Sequence, residues 1–372
     1  MTKTMLAARL HEFGKPFSLE EVPVPVPRPT DVLISVRACN VVPNLANVIT
    51  HYAEWFPYLP LPKLPATFGL DVSGVVAEVG SQVLGIAPGD RVYVNPQRSC
   101  GGCKACRSGE PIACDSVTFQ GYFGFGAGSS RVFEQYPDGG LAEFMVAPVR
   151  SLVKLPDSIS FEAGARFGYL GTSYAALRQG HAGPGKSAII LGATGTLGVG
   201  AVLLALGMGV TKIFAVARNA AVLDLVRNWD PRRIDVLSYG TQPLEAWVRD
   251  RTGGAGADML IDALPTGAPV GVTMDAIKSL RRGGCGVSIG AMAETLPLDP
   301  VWFMCNALQW KGSAWFTVAE GEDMAAMADA GTLNLSKFEH KRYALQDVNK
   351  MMASLSDRES GLANFVVMPG FK

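Results

Sequence analysis

Four cysteines lie close together in the chain, and their spacing is the most direct indication of chemistry in the sequence. They are Cys100, Cys103, Cys106 and Cys114, in the pattern C-x2-C-x2-C-x7-C within a glycine-rich stretch. Four thiolates at such short intervals can complete the tetrahedral shell of Zn²⁺ and leave no coordination position open for a substrate. An iron–sulfur cluster could also use four thiolates, but the even, short spacing favours zinc. The sequence therefore predicts one structural zinc ion per chain.

A glycine-rich turn predicts a second site. The apolar stretch that ends at Leu191 is followed by Gly192, Gly195 and Gly198, and then by an apolar, helix-like segment. Glycines let backbone N–H groups approach a pyrophosphate, and the N-terminus of the helix favours its negative charge. Because the turn stands between a predicted strand and a predicted helix, we interpret it as dinucleotide-binding and not as an ordinary tight turn.

The end of the next predicted strand indicates which dinucleotide is bound. An NAD enzyme usually has an acidic residue there, about 20 residues after the glycine turn, which binds the ribose 2′-hydroxyl. In this chain the strand ends with Ala217, Arg218 and Asn219. An uncharged residue removes repulsion toward a 2′-phosphate and Arg218 can supply a counter-charge, so the pattern favours NADP(H). The alternative is that Arg218 stacks on the adenine ring or faces solvent.

Two kinds of sequence pattern predict the elements that position these sites. Residues 1–165 read as short extended runs broken by Pro and Gly, which is typical of a β-rich, barrel-like domain. From about Thr172, apolar helical stretches alternate with apolar strands, as in a parallel sheet buried on both faces. From about Ala314 the pattern becomes mixed again. We expect this tail to rejoin the first domain, so that the α/β unit is an insertion.

Bulk properties exclude several classes of partner. The chain has 372 residues, 48% of them hydrophobic, which is enough for two packed domains. Thirty-three basic residues balance 33 acidic ones, so no net charge would attract nucleic acid or an anionic membrane. No segment has the pattern of a signal peptide or a membrane helix. We therefore expect a cytoplasmic protein with a small-molecule substrate. In that reducing compartment an odd count of seven cysteines favours metal over disulfides.

With both sites identified, nearly the whole chain resembles the zinc-containing alcohol dehydrogenase family of medium-chain dehydrogenases/reductases. The segments that carry the resemblance are Gly69–Val76, Pro88–Val92, Gly140–Phe144, Thr172–Leu177 and Gly284–Gly290. The resemblance implies an α/β fold: a GroES-like, β-barrel-type catalytic domain over residues 1–168, a Rossmann domain with a doubly wound parallel sheet over residues 169–313, and a return to the catalytic domain over residues 314–372. It also implies a homodimer.

The glycine turn and the resemblance together give the predicted cofactor-binding residues. These residues are Thr172, Gly192, Gly195, Thr196, Leu197, Gly198, Arg218, Asn219, Ala263, Ile289 and Gly290. Since Thr172, Gly195 and Gly198 are intact, a working nicotinamide pocket is favoured over a non-enzymatic NADP(H)-binding protein that has lost its activity.

The resemblance fails at the family's catalytic zinc site. Family members normally place there a Cys, a His and a further Cys or carboxylate. The corresponding residues here are Val42, Leu70 and Gly168, or Phe167 if the alignment slips by one. None of these side chains binds a metal. We therefore expect a member of the family that lacks the catalytic zinc.

Three nearby residues could replace the lost ligands by type, namely Cys39, His51 and Asp71. Cys39, however, stands at the end of a predicted strand, three residues before the ligand position, where alternation points it to the opposite face. The chain has only four histidines, which makes a conventional catalytic site hard to assemble.

Without a Lewis acid, hydride transfer has to use hydrogen-bond donors or a substrate that is already electrophilic. The candidate catalytic residues are Asn44, which the family pattern places where a hydroxyl relays the proton, and His51 and Tyr122, which are placed only by proximity in sequence; Tyr52 is a further donor by type. Asn47 corresponds to the relay histidine. Aromatic residues occur where the walls of the substrate pocket usually lie: Phe119, Tyr122, Phe123, Phe125, Trp302 and Trp315.

These observations predict an NADP(H)-dependent oxidoreductase with a bulky apolar or aromatic substrate. The favoured reaction is reduction of an activated C=C, C=O or C=N bond without catalytic zinc. The first alternative is an alcohol dehydrogenase or carbonyl reductase that uses side-chain donors in place of the metal. The second is a non-enzymatic NADP(H)-binding protein.

Overall fold

The first part of the chain is built from antiparallel strands. The computed structural model describes residues 3–370. Short helices separate the strands, and the elements are β1 (Thr4–Leu10), β2 (Ser18–Pro23), β3 (Asp31–Asn40), α1 (Leu45–Thr50), α2 (Tyr52–Trp55), β4 (Ala66–Thr67), β5 (Asp71–Val79), β6 (Arg91–Val94), β7 (Gln97–Arg98), α3 (Lys104–Arg107), β8 (Thr118–Phe119), α4 (Ser129–Gln135), β9 (Phe144–Pro148), β10 (Leu152–Lys154) and α5 (Phe161–Gly164). The cysteine-rich stretch surrounds α3 and lies between β7 and β8.

The middle of the chain alternates helices with parallel strands. Its elements are α6 (Phe167–Gln179), β11 (Ser187–Leu191), α7 (Thr196–Gly207), β12 (Lys212–Ala217), α8 (Ala220–Arg227), β13 (Ile234–Ser238), α9 (Leu244–Arg251), β14 (Ala257–Asp262), α10 (Val270–Lys278), β15 (Leu280–Ser288), α11 (Pro300–Asn306) and β16 (Gln309–Gly312). The strands form one six-stranded parallel sheet in the order β13-β12-β11-β14-β15-β16. This order changes direction beside β11, as in a doubly wound fold, and confirms the predicted parallel sheet.

The central strand β11 shows why such apolar strands form. Ala188 and Ile190 pack on one face of the sheet with α6 and α7, and Ile189 and Leu191 pack on the other face with α9 and α10. All four side chains are fully buried. Because both faces are covered by helices, the strand is apolar throughout instead of alternating with polar residues.

The tail returns to the antiparallel part of the molecule. Its elements are α12 (Val318–Asp329), β17 (Glu339–Ala344), α13 (Val348–Ser354) and β18 (Ala363–Met368). Strand β18 pairs antiparallel with β3, where Val367 faces Cys39, and parallel with β17. The resulting sheet runs β10-β6-β5-β3-β18-β17, with β9 also paired to β3.

The described residues 3–370 contain no helix that is both long and apolar enough to cross a membrane.

Candidate active site

A large cleft lies where the carboxyl ends of the parallel strands meet the antiparallel part of the chain. Its cavity volume is about 1430 Å³. One half is lined by the glycine turn and by the ends of β11, β12, β14 and β15, and we name it the cofactor half because the predicted dinucleotide contacts lie there. The other half is lined by residues that follow β3 and β8, and we name it the substrate half. In doubly wound sheets this edge, next to the point where strand order changes direction, is where ligands bind.

The backbone of the glycine turn requires glycine at two positions, as the predicted dinucleotide turn does. Gly192 has a φ of +70°, and a Cβ added at Gly198 would overlap its carbonyl oxygen. The side chain of Thr196, the first residue of α7, accepts a hydrogen bond of 2.5 Å from the Arg358 guanidinium. Gly192, Gly195, Thr196 and Arg358 all line the cleft. The N-terminus of a twelve-residue helix and a cation therefore face the same space.

The far end of the cofactor half is formed by the residues after β12. Arg218 and Asn219 line the cleft, together with Tyr239 after β13. Arg218 is exposed. The side chain of Asn219 accepts a hydrogen bond from the Val222 N–H at 3.2 Å and so caps α8. Asn219 therefore has a structural role of its own, and the guanidinium of Arg218 is the charged group at this end of the cofactor half.

The other end of the cofactor half includes the remaining predicted contacts. Thr172, Ala263, Ile289 and Gly290 line the cleft, and so does Leu197 of the turn. The loop after β14 is held by Asp262, whose carboxylate accepts from the Leu264 N–H and the Thr273 hydroxyl. The Thr172 hydroxyl donates to the Gly168 carbonyl at 3.0 Å.

Three positions at the junction of the two halves decide whether a second metal could bind. Val42 and Leu70 are buried and line the cleft. Gly168 lies directly against Asp71, because a Cβ added at Gly168 would overlap the Asp71 carboxyl group. Asp71 is fully buried, and the Tyr93 hydroxyl donates to its Oδ1 at 2.9 Å. Burial raises the pKa of Asp71 to about 7. The Asp71 carboxyl thus occupies the space where a side chain at position 168 would begin.

The candidate donors form a short hydrogen-bonded chain. Asn44 Nδ2 donates to the Tyr52 hydroxyl at 2.6 Å and to the Tyr122 hydroxyl at 3.0 Å. Asn44 Oδ1 accepts from Asn47 Nδ2 at 3.1 Å. Asn44, Asn47 and Tyr122 line the cleft, and Tyr122 is only 5% exposed. The structure therefore brings Asn44 and Tyr122 together, as two of the three candidate catalytic residues.

The third candidate, His51, lies elsewhere. Its ring stacks on Trp55 with a centroid distance of 4.5 Å, and it does not line the cleft. Proximity in sequence to Asn44 failed as a guide because His51 follows α1, roughly 10 Å along the helix axis from Asn44, and its ring stacks on Trp55 outside the cleft.

Aromatic rings form the wall of the substrate half. Phe119 packs on Trp315 with ring centroids 4.4 Å apart, and the Trp315 indole N–H donates to Asn95 at 3.0 Å. The other rings that line this half are Tyr122, Phe123, Phe125 and Tyr169. Trp302 is not one of them. It packs with Phe303 of α11 against the α9–α10 face of the parallel sheet. The prediction that Trp302 lies in the pocket wall is therefore wrong.

The four cysteines have a geometry that fits zinc. Their Sγ atoms all lie within 4.8 Å of one another, with Cys114 and Cys100 at 3.6 Å and Cys100 and Cys106 at 4.0 Å. A tetrahedral shell with Zn–S bonds of 2.3 Å requires sulfur–sulfur distances of roughly 3.8 Å. Within residues 3–370, this is the one group of three or more Cys, His, Asp or Glu residues close enough to hold a metal. Cys39, His51 and Asp71 do not form a second group.

Two family models match the chain, one in its antiparallel part and one in its parallel-sheet part. The alcohol dehydrogenase GroES-like domain model matches residues 28–157, and the zinc-binding dehydrogenase model matches residues 196–330. An alcohol dehydrogenase of Geobacillus stearothermophilus is 31% identical over 312 residues, which cover 83% of this chain and 84% of that relative. The chain belongs to the zinc-type alcohol dehydrogenase family of medium-chain dehydrogenases/reductases.

Further similarities extend over almost the full length of this family member. An NAD-dependent alcohol dehydrogenase of Saccharolobus solfataricus is 30% identical over 361 residues, which cover 95% of this chain and 97% of that one. The crystal structure of AibC superposes with a TM-score of 0.84 at 27% identity, covering 100% of this chain and 97% of that chain. The predicted family, the fold with its GroES-like and Rossmann parts, and the prediction of an NAD(P)-dependent oxidoreductase are confirmed.

Two residues of this dehydrogenase's cleft were missed by the sequence patterns. Arg358 lies 162 positions after its partner Thr196, in a tail segment with no regular period. Tyr169 follows the expected ligand position at Gly168 and stood outside every motif. A search of the tail for basic residues could have indicated Arg358, because a cation next to a glycine turn attracts the negative charge of a phosphate.

Proposed function

We propose that this family member reduces an activated C=C, C=O or C=N bond with NADPH and without a catalytic zinc ion. The proposal rests on the residues at the junction of the two halves of the cleft, where the family's catalytic zinc ligands would lie. Two of the three family ligand positions are the apolar residues Val42 and Leu70, and the third, Gly168, has its side-chain space filled by the Asp71 carboxyl. A bound metal polarises a carbonyl and contributes several kcal/mol to transition-state stabilisation. A substrate that is already electrophilic, such as an enone, an enal or an iminium ion, needs less of that stabilisation.

The cofactor half is the proposed site of NADP(H). Thr196, the N-terminus of α7 and Arg358 would hold the pyrophosphate, and Arg218 would meet the 2′-phosphate. The bound nicotinamide would supply the hydride. Thr172, Ala263, Ile289 and Gly290 would surround the nicotinamide ring beside the aromatic half of the cleft.

The substrate half favours a bulky apolar or aromatic molecule. Six aromatic rings line it: Phe119, Tyr122, Phe123, Phe125, Tyr169 and Trp315. Among the described residues 3–370, the basic residues that line the cleft are Arg218 and Arg358, and both lie in the cofactor half. The aromatic wall therefore offers stacking and apolar contact, and these residues place no cation there for a substrate carboxylate.

A substrate panel tests this function. NADPH oxidation is followed with cyclic enones, aromatic enals and cyclic imines, and NADP⁺ reduction with primary and secondary alcohols, each before and after chelation. We expect turnover of at least one electrophilic acceptor and no effect of mild chelation on the rate. Rapid oxidation of alcohols with no reduction of enones or imines would contradict the proposal.

The second candidate function is an alcohol dehydrogenase that uses side-chain donors in place of the metal. Two observations favour it: the relatives from Geobacillus stearothermophilus and Saccharolobus solfataricus are named alcohol dehydrogenases, and Asn44 and Tyr122 place hydrogen-bonding groups in the cleft. The alcohol arm of the same panel distinguishes it from the first proposal.

We also propose that the cysteine cluster holds one structural zinc ion and that the enzyme is a cytoplasmic homodimer. The sulfur–sulfur distances support the zinc. The exposed edge of the parallel sheet at β16 supports the dimer, because an unpaired edge strand exposes a row of backbone donors and acceptors.

A further inference from the structure

The hydrogen bonds around Asn44 distinguish the two candidate donors. Asn44 has two amide hydrogens and one carbonyl oxygen. Its hydrogens are given to the hydroxyls of Tyr52 and Tyr122, and its oxygen accepts from Asn47. An amide whose two hydrogens are both engaged has none left for a ligand. Asn44 therefore has no N–H left to donate to the substrate.

Tyr122, unlike Asn44, keeps a hydrogen that it can donate. Its oxygen accepts from Asn44 at 3.0 Å, and within residues 3–370 its hydroxyl hydrogen has no acceptor at hydrogen-bonding distance. A phenol can accept one hydrogen bond and donate another at the same time. Tyr122 is buried in the wall of the cleft, so the space open to its hydroxyl hydrogen is the substrate half.

Resting on the function proposed above, we propose that the Tyr122 hydroxyl donates the hydrogen bond that stabilises the developing charge on the substrate, and that Asn44, fixed by Asn47, is the positioning residue that turns this hydroxyl toward the cleft. Hydride addition forms a C–H bond at the electrophilic carbon and leaves NADP⁺. In an enone or a carbonyl it moves an electron pair onto the substrate oxygen, which becomes negative, and Tyr122 donates to that oxygen. In an iminium ion the pair neutralises the positive nitrogen, so no negative charge develops there. Solvent water supplies the proton that completes reduction of an enone or a carbonyl, and an iminium ion needs none.

The surroundings of Tyr122 favour donation without proton transfer. Burial raises its pKa well above the ordinary value for tyrosine, so the hydroxyl keeps its proton over the working range of pH. A donor that is fixed in place before the reaction and shielded from water stabilises a developing negative charge more than a mobile solvent molecule does.

The first test removes the hydroxyl and keeps the ring. In Tyr122→Phe we expect kcat to fall by roughly 10²-fold, which is typical for the loss of one donor to a developing oxyanion. NADPH affinity, measured by fluorescence titration, should be unchanged. Tyr58→Phe is the matched control: the Tyr58 side chain is 69% exposed and does not line the cleft, so the loss of its hydroxyl should change kcat by less than about threefold. Full kcat in Tyr122→Phe would overturn the proposal.

The second test reverses the direction of one hydrogen bond. In Asn44→Asp a carboxylate replaces the amide, so the Tyr122 hydroxyl would donate to position 44 and turn its hydrogen away from the substrate. We expect kcat to fall about as far as in Tyr122→Phe. In the double variant the second change should add nothing, because both act on the same hydrogen bond. If Asn44→Asp keeps full kcat, or if the two losses multiply, Asn44 does not act through Tyr122.

These outcomes are separate from the proposed function. The function depends on which substrates the unmodified enzyme turns over. The variants are then compared on the enone, carbonyl or alcohol that the unmodified enzyme uses best, because these substrates develop negative charge on oxygen. Failure of the enone and imine panel contradicts the reductase, and unchanged turnover in Tyr122→Phe contradicts the donor.

Discussion

Arg218 is the residue on which the choice between the two nicotinamide cofactors depends. It lies exposed at the end of the cofactor half, after a strand that ends in the uncharged Ala217. Hydrogen bonds to charged groups contribute about 1.5–3 kcal/mol, which corresponds to roughly 10- to 100-fold in affinity. In Arg218→Ala we therefore expect the preference for NADPH over NADH, measured as the ratio of kcat/KM values, to fall by at least about tenfold.

Arg358→Ala is the matched control for that prediction. Arg358 contacts Thr196 at the glycine turn, next to the part that NADH and NADPH share. Its removal should weaken both cofactors by a similar factor and leave their ratio unchanged. An unmodified enzyme that binds NADH as tightly as NADPH would show that Arg218 has no such role.

Asp71 is the residue from which we expect a dependence of stability on pH. Burial raises its pKa from 3.8 to about 7 in the folded protein. Below about pH 4 the carboxyl is protonated in the folded and unfolded chains. As the pH rises toward 7 the unfolded chain releases this proton first, so folding loses on the order of 4 kcal/mol of stability relative to a neutral group. Above the folded pKa the loss is complete.

Asp71→Asn isolates this contribution. Asparagine keeps the size of the side chain and an oxygen that can accept from Tyr93. The Tm of the variant minus that of the unmodified protein should rise between pH 4.5 and 8. In Asp157→Asn, which changes a side chain that is 98% exposed, the difference should stay flat. An Asp71→Asn difference that is flat or falls with pH would contradict the assigned direction of the pKa.

At the scale of elements, periodic patterns in the sequence predicted the structure better than the types of isolated residues predicted side-chain positions. The apolar run at Ser187–Leu191 indicated a strand buried on both faces, because burial by helices leaves no polar face to alternate with. The glycine turn and the cysteine spacing are local, so the sequence alone contains their geometry. His51 and Trp302 were misplaced for the opposite reason: the direction of a single side chain near a helix depends on packing partners distant in the sequence.

Long-range contacts explain what the sequence could not predict about the site. Asp71 and Gly168 are separated by almost a hundred residues. Only the contact between the start of β5 and the start of α6 shows that the Asp71 carboxyl fills the side-chain space at Gly168. The hydrogen bonds of Asn44 likewise depend on Tyr122, which enters from the segment after β8. The sequence shows which residue types are present, but it does not show which of them lie in contact. The boundaries at residues 168 and 313 stay predictions.

The lobe around α3 is an element for which we expect metal to contribute to stability. The side chains of the Lys104–Arg107 helix are not buried, so this helix contributes no apolar core to the lobe. Four thiolates bound to one ion would stabilise the lobe instead. We expect one equivalent of zinc per chain by elemental analysis, and its loss with a lower Tm in Cys106→Ser. Cys305→Ser, at an exposed cysteine outside the lobe, should keep the zinc. Two equivalents, one of them removed by mild chelation together with activity, would reveal a catalytic zinc.

At the scale of the whole molecule, the tail connects the two halves of the cleft. A Cβ added at Gly361 would overlap the backbone of Gly195 in the glycine turn. The fully buried Arg166 donates to the carbonyls of Thr196 at 3.0 Å and Gly361 at 2.8 Å. The cofactor half is therefore complete only when the tail has returned to the first part of the chain, which links cofactor binding to the association of the two parts.

The β16 edge of the parallel sheet is the surface at which we expect two chains to associate. Strand β16 is an edge strand, and Val301 and Met304 of the neighbouring helix α11 are 63% and 72% exposed. Edge-to-edge pairing would satisfy the backbone groups and cover these side chains. We expect a dimer by light scattering, and a shift toward monomer in Val301→Glu with Met304→Glu, because two carboxylates would be buried without partners. Leu84→Glu changes a side chain that is 89% exposed elsewhere, and it should leave the mass unchanged. A dimer that survives the double change would place the interface on another surface.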